Sequence, residues 1–342
     1  MTAQARLQRL WKRGLDFLGT EVAIMGGAMS WISERNLVAA ISNAGGFGVL
    51  ACGSMTPALL EAEIAATQAL TKKPFGVNLI TMHPQLTELI EVCGRAHVSH
   101  VVLAGGLPTQ PSVTRAKELG AKVICFAPTV LFAKKLVRMG ADAIVIEGTE
   151  AGGHIGPVAT SVLAQEILPV IRDVPVFVAG GIGTGAAVVS YLEMGAAGVQ
   201  LGTRFVCASE CVAHPAFKQA FIRANARDAV PSVQVDPNFP VIPVRALSNH
   251  ASRRFIDFQH EVIGRFRNGE IDQKTAQLEI EHYWAGALKR AVIDGDVENG
   301  SVMAGQSVGL VSSEQPTADI IKELIAQAED VLARREQFEA AV

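Results

Sequence analysis

The chain has 342 residues, with 30 Lys+Arg against 33 Asp+Glu and a formal charge of −3. At 49% hydrophobic and 18% charged, it has material for a large core, which excludes charge-driven disorder. The near-neutral balance argues against a nucleic-acid binder, which carries a strongly basic domain. Five cysteines at 52, 93, 125, 207 and 211 form no CxxC pair, so neither a disulfide framework nor a metal site is expected, and the cytoplasm is the expected compartment.

The chain begins MTAQARLQRLWKRGLDFLG, basic and without a continuous apolar stretch. No run reaches about 18 apolar residues, so neither a leader nor a membrane span is expected. Leu7, Leu10, Trp11, Leu15 and Leu18 recur at helical spacing and predict a docking helix over 1–20 rather than a membrane-surface helix, with an apolar face suited to a homodimer.

From 21 to 227 the pattern alternates. Short apolar runs at 22–25, 48–51, 76–79, 100–103, 122–126, 143–147, 176–179 and 198–201 are each followed by an amphipathic stretch, near 33–44, 57–71, 84–96, 111–119, 130–139, 160–172, 184–194 and 213–226. Strands this apolar are those covered on both faces by crossover helices. Leu119-Gly120-Ala121, Met139-Gly140-Ala141 and Met194-Gly195-Ala196 place glycine where a helix ends left-handed before the next strand. Eight βα units predict an α/β fold, a (β/α)8 TIM-like barrel, ahead of an open doubly wound sheet. Residues 228–300, with prolines at 231, 237, 240 and 243 and then Arg-rich helical sequence, predict a smaller, mainly helical inserted domain acting as a lid. The segment 301–342 is expected to return to the barrel and to end in a helix opened by Pro316 and Thr317.

A barrel of this kind builds its active site from the loops at the C-terminal ends of its strands. The loops after the seventh and eighth strands, Gly180-Gly181-Ile182-Gly183-Thr184-Gly185 and Gly202-Thr203-Arg204-Phe205, predict a phosphate site made of main-chain N–H groups, with plain tight turns as the bland reading. Gly181 to Ala186 also fits GxGxxA, but the next strand ends in Gln200-Leu201-Gly202 without the acidic residue of a dinucleotide site. His154, between Gly152-Gly153 and Gly156, places an imidazole at a strand end for acid–base or polarising chemistry. Asn78, where the third strand finishes, either bonds a ligand edge or ties down a turn. Glu147 and Glu150 do not form a convincing glycosidase pair, and Cys125 reads as a small buried hydrophobe.

Taken together, Ile24-Met25-Gly26-Gly27-Ala28-Met29, Asn43-Ala44-Gly45-Gly46, Pro74-Phe75-Gly76-Val77-Asn78, the Glu147 to Gly156 stretch, Ala179-Gly180-Gly181-Ile182, Gly202-Thr203-Arg204-Phe205 and Met303-Ala304-Gly305-Gln306 resemble the flavin-dependent nitronate monooxygenase and enoyl-ACP reductase II superfamily. The resemblance spans about residues 20 to 330. It implies non-covalent FMN, with the phosphate near Gly181 and Gly202-Thr203. Gly26, Ala28 and Met29 would approach the isoalloxazine ring, Asn78 would bond its polar edge, and Met303, Gly305 and Gln306 would close the site. Met25, Gly27, Glu147, Ala151, Gly152, Gly153 and Gly180 complete the implied cofactor set, and His154 takes the place of the family's catalytic histidine.

The stretch 286–306, Ala213-His214-Pro215 and the 243–249 segment are similar to the enoyl-ACP reductase II type. This implies that NAD(P)H reduces the C=C bond of an enoyl thioester by way of the flavin. Nitronate oxidation with O2 is the alternative, and a non-catalytic flavin-binding protein the third reading. Arg245, Arg253, Arg254, Arg265 and Arg267 are candidate contacts for an acidic acyl carrier protein, or an ordinary solvated face.

Overall fold

The computed structural model describes residues 2–53, 55–239 and 242–341. Pro240, one of the prolines expected to mark the insert, lies outside them, as do Met1, Ser54, Val241 and Val342. In chain order the strands are β1 (Ile24–Gly26), β2 (Gly48–Ala51), β3 (Phe75–Ile80), β4 (His100–Ala104), β5 (Lys122–Phe126), β6 (Ala143–Glu147), β7 (Gly153–His154), β8 (Val176–Ala179), β9 (Gly198–Leu201), β10 (Ala229–Pro231) and β11 (Val244–Leu247). Eight of them form one parallel sheet in the order β1-β9-β8-β6-β5-β4-β3-β2. Its two edges meet: Met25 bridges Phe47, Gly26 N donates to Phe47 O, and Phe47 N donates to Ile24 O, both at 2.9 Å. The fold is therefore a (β/α)8 barrel, and it is the closed form, not the open sheet.

Alternation along each strand sorts its side chains into two shells. Met25, Val49, Val102, Ile124, Ala143, Val145, Phe177 and Ala179 fill the lumen. Their neighbours Ile24, Leu50, Val101, Val123, Ile144, Ile146, Val176 and Val178 belong to the outer core under the helices. Helices such as Gln110–Glu118 and Gly185–Glu193 end before Gly120 and Gly195, at φ +90° and +106°. A Cβ on either glycine would meet nothing within 4 Å, so positive φ alone selects glycine there.

The first residues form two short helices, Ala3–Leu10 and Lys12–Leu18, joined at Trp11; Leu7, Trp11 and Leu18 are buried within the chain. The apolar face that suggested a dimer is thus covered by the barrel itself. Phe17 and Leu18 pack against the lumen core from below.

The region read as mainly helical contains more strand than its sequence suggested. Helices His250–Arg267 and Gln273–Val292 are present, but β10, β11 and β7 make a three-stranded antiparallel sheet beside them. Two strands come from the insert and the third from the barrel loop after β6, so no local pattern announces the sheet. Phe239, Val244, Phe255, Val262, Ile263, Ala276, Ile280 and Trp284 form a separate small core there.

Candidate active site

The top of the barrel has a main-chain half and a side-chain half. In the first half, Gly27 N donates to Leu201 O at 2.8 Å, joining the tips of β1 and β9. Ser33 Oγ donates to Gly27 O at 2.7 Å and accepts from Met29 N at 3.0 Å, which fixes the turn carrying Ala28 and Met29. Met29 Sδ lies 3.4 Å from where a Cβ on Gly202 would stand. Gly180 follows β8 at φ +97°, and its Cβ would lie 2.9 Å from Thr160 Oγ1 and 3.1 Å from Gly148 O. After β9 the short helix Thr203–Val206 begins, and its first internal bond runs from Phe205 N to Gly202 O. The N–H groups of Thr203 and Arg204 thus precede the helix's own pairing.

The C-terminal segment closes against this half. Gln306 N donates to Glu150 O at 2.9 Å, and Gly305 N to Thr203 Oγ1 at 3.0 Å. A Cβ on Gly152 would lie 2.6 Å from Gly305 N, so the two backbones touch. A cavity of about 790 Å³ opens here, lined by Glu150, Gly180, Gly181, Tyr191, Arg227 and Gln306 among others. Ala151 is buried between these segments, and half-buried Met303 packs against both the barrel core and the inserted domain's core.

In the other half, side chains project from the strand ends. Asn78 pairs in register with Ala51 and Val102, Glu147 with Ala179, and Gln200 with Ala179 and Met25. All three therefore face the lumen as its polar upper layer. Asn78 Nδ2 donates to Val102 O at 3.3 Å. Burial raises the Glu147 carboxyl to about 7.

His154 stands on the seam between barrel and insert. Gly153, at φ +77°, turns the chain so that β7 pairs antiparallel with β11, Gly153 against Arg245 and His154 against Val244. The imidazole is exposed at this rim. Arg245 overturns its expected role as a surface contact for an acidic partner. It is 5% exposed, and its Nε donates to Thr149 O at 2.8 Å while its guanidinium also reaches Ala229 O, so it clamps the loop that carries His154. Of the other arginines, Arg265 pairs with Glu279 and Arg267 with Asp236, while Arg253 and Arg254 are exposed.

A nitronate monooxygenase family model matches residues 12–327. The chain belongs to this family. Its relatives include FabK from Thermotoga maritima, 34% identical over 95% of this chain and 98% of that one with a TM-score of 0.85. It is 31% identical to (3aS,4S,5R,7aS)-5-hydroxy-7a-methyl-1-oxo-octahydro-1H-indene-4-carboxyl-CoA dehydrogenase of Mycobacterium tuberculosis, over 92% of this chain and 94% of the relative. A probable nitronate monooxygenase of Staphylococcus saprophyticus is 27% identical over 95% and 100%. Family and neighbours make the protein an oxidoreductase.

Within this family frame, the residues singled out in the sequence gather at the barrel top with one difference. Gly26 faces outward, where a Cβ would lie 2.7 Å from Ile41 Cδ1, so it meets a ligand through main chain or not at all. In the GxGxxA match, a Cβ on Gly185 would lie 2.3 Å from Leu324 O, so that glycine serves helix packing. Glu150 Oε2 accepts from Thr160 N and Oγ1 at 2.8 and 2.7 Å, which caps the helix Thr160–Ile167. Sequence reasoning passed over Gln200 as a site residue. The available signal was a lone amide at the lumen position of the otherwise apolar strand Gly198–Leu201. Cys125 is buried on the outer face with its thiol pushed up to about 12 by burial, a poor nucleophile.

Proposed function

We propose that the chain is an FMN-dependent oxidoreductase that uses NAD(P)H to reduce the C=C bond of an enoyl thioester. The observation that carries this reading is the meeting, at one barrel mouth, of a glycine-lined main-chain rim, a polar lumen layer and the exposed imidazole of His154. FMN is an anion joined to a flat ring with a polar edge, and the residues fit it. At Gly180 the loop after β8 lies directly on Gly148 and Ala151, with no room for a Cβ, while Asn78, Glu147 and Gln200 offer polar groups where the surrounding lumen is apolar. Gly181, Gly202 and Thr203 would hold the phosphate, and Gly27 to Met29 would border the ring. When bound, FMN supplies the two-electron hydride chemistry that no side chain has.

His154 donates a hydrogen bond to the thioester carbonyl oxygen, where negative charge develops as the C=C bond is reduced, or returns a proton to the α-carbon. Arg245 holds the imidazole's loop in place, and Met303 closes the apolar seam against water. The thioester class draws support from the carboxyl-CoA group named for the M. tuberculosis relative.

Nitronate oxidation is the second reading, favoured by the S. saprophyticus relative. Anaerobic mixing separates the two. The expected result is bleaching of bound FMN by NADH or NADPH and recovery of its colour with an enoyl thioester. Bleaching by a nitronate alone selects the second reading, and protein that stays colourless after folding with excess FMN removes both.

A further inference from the structure

The polar layer at the top of the lumen contains one ionisable group, Glu147, and register fixes its direction. It shares a face of β6 with Ala143 and Val145, both in the lumen core, and pairs with Ala179, also in that core. Gln200 is the next residue across on β9, which puts amide and carboxyl two strand spacings apart, about 10 Å.

Among the described residues, the charged and titratable groups on the surrounding elements are placed as follows. On β5, Cys125 points to the outer core, and Lys122 at the far end bonds Phe17 O at the floor. The strand β8 carries none. In the loop after β6, Glu150 is held by Thr160, and His154 stands on the β7–β11 seam. Arg245 of β11 bonds two main-chain carbonyls, and Arg204 beyond β9 is paired with Glu323 and Gln315. Burial lifts the Glu147 carboxyl to about 7.

We propose that Glu147 is the proton-holding group of the site: a neutral carboxylic acid that donates its O–H to the polar edge of the ring seated over the lumen, and that takes up a proton as the ring binds. The proposal rests on the FMN reading above. A flavin covering the lumen removes the remaining water from the carboxyl and adds an anionic phosphate nearby. Both effects favour the neutral acid. Linkage then makes flavin affinity fall as pH rises above the carboxyl's own titration.

The test compares FMN dissociation constants of the full chain and its Glu147→Gln variant between pH 6 and 8.5. The ratio between the two chains cancels the titration of the FMN phosphate. The expected result is wild-type affinity falling relative to E147Q by roughly tenfold per pH unit above 7. A ratio that stays constant, or that rises with pH, overturns the proposal.

Calorimetry of FMN binding to the wild type at pH 7.5, in two buffers of different ionisation enthalpy, gives a check that needs no variant. Net proton uptake beyond that of the phosphate is expected, and none overturns the proposal. If no flavin binds at all, the functional reading fails by itself. Infrared titration of the unliganded chain then decides the protonation. A protonated-carboxyl band disappearing near pH 7 in wild type and absent from E147Q is expected, and identical spectra refute it.

Discussion

The two ends of the barrel each carry a histidine, in opposite settings. At the floor, His100 is 3% exposed, its Nε2 donates to Phe17 O at 3.0 Å, and its Nδ1 lies 2.9 Å from Ser99 Oγ. Its ring meets those of Phe17 and Phe47 edge-on at 5.1 and 4.8 Å, and burial pushes its pKa down to about 4. At the top, His154 is exposed on a two-residue strand among glycines. One imidazole is a neutral packing unit sealed under the N-terminal helices. The other stands where a ligand can reach it. The comparison teaches that in this fold position along the strand, more than residue type, separates stability from chemistry.

Changing the upper histidine tests the comparison with the largest effect. His154→Ala is expected to cost on the order of 10²–10⁴-fold in turnover, with flavin still bound and the melting temperature close to wild type. If the loss appeared in stability instead, the two histidines would be equivalent.

The lower histidine responds to acid. The unfolded chain protonates this imidazole as pH drops below its ordinary 6.5, whereas the folded protein resists until about 4. Stability present above 6.5 is therefore lost progressively between those values, about 3 kcal/mol in all. Denaturant melts across this range are expected to show that acid slope, and His100→Asn to flatten it.

Gly180→Ala sharpens the account of the upper end, because it forces a side chain into a left-handed turn against Thr160. The cost is about 1–3 kcal/mol, read as a lower melting temperature and, on the FMN reading, as weaker flavin retention than wild type. The smallest effect belongs to Thr203→Val, which removes the acceptor for Gly305 N. About 1 kcal/mol is expected, seen as faster amide exchange at Gly305.

The barrel was legible because each of its units is local. The runs at 122–126, 143–147, 176–179 and 198–201 are strands at those bounds, apolar on both faces apart from Lys122, Glu147 and Gln200. The first strand starts later than expected, at Ile24, because Val22 N is bonded to Gly45 O. The helix expected over 160–172 stops at Ile167, just ahead of Pro169. The insert was less legible, since β7, β10 and β11 are short and pair across long separations. Arg245 shows the same limit: in sequence it is one more arginine in a basic stretch, and only pairing with β7 buries it.

The sequence by itself determined the eight βα units, the glycines that end their helices and the strand tips where a site would form, because hydrophobic period and backbone freedom act over a few residues. Tertiary structure alone decided which polar side chains enter the lumen and how the 303–306 segment meets the loop after β6. It also decided how far burial shifts Glu147 and His100. Those properties depend on register, closure and exclusion of water, which arise only when strands distant in the chain are brought side by side.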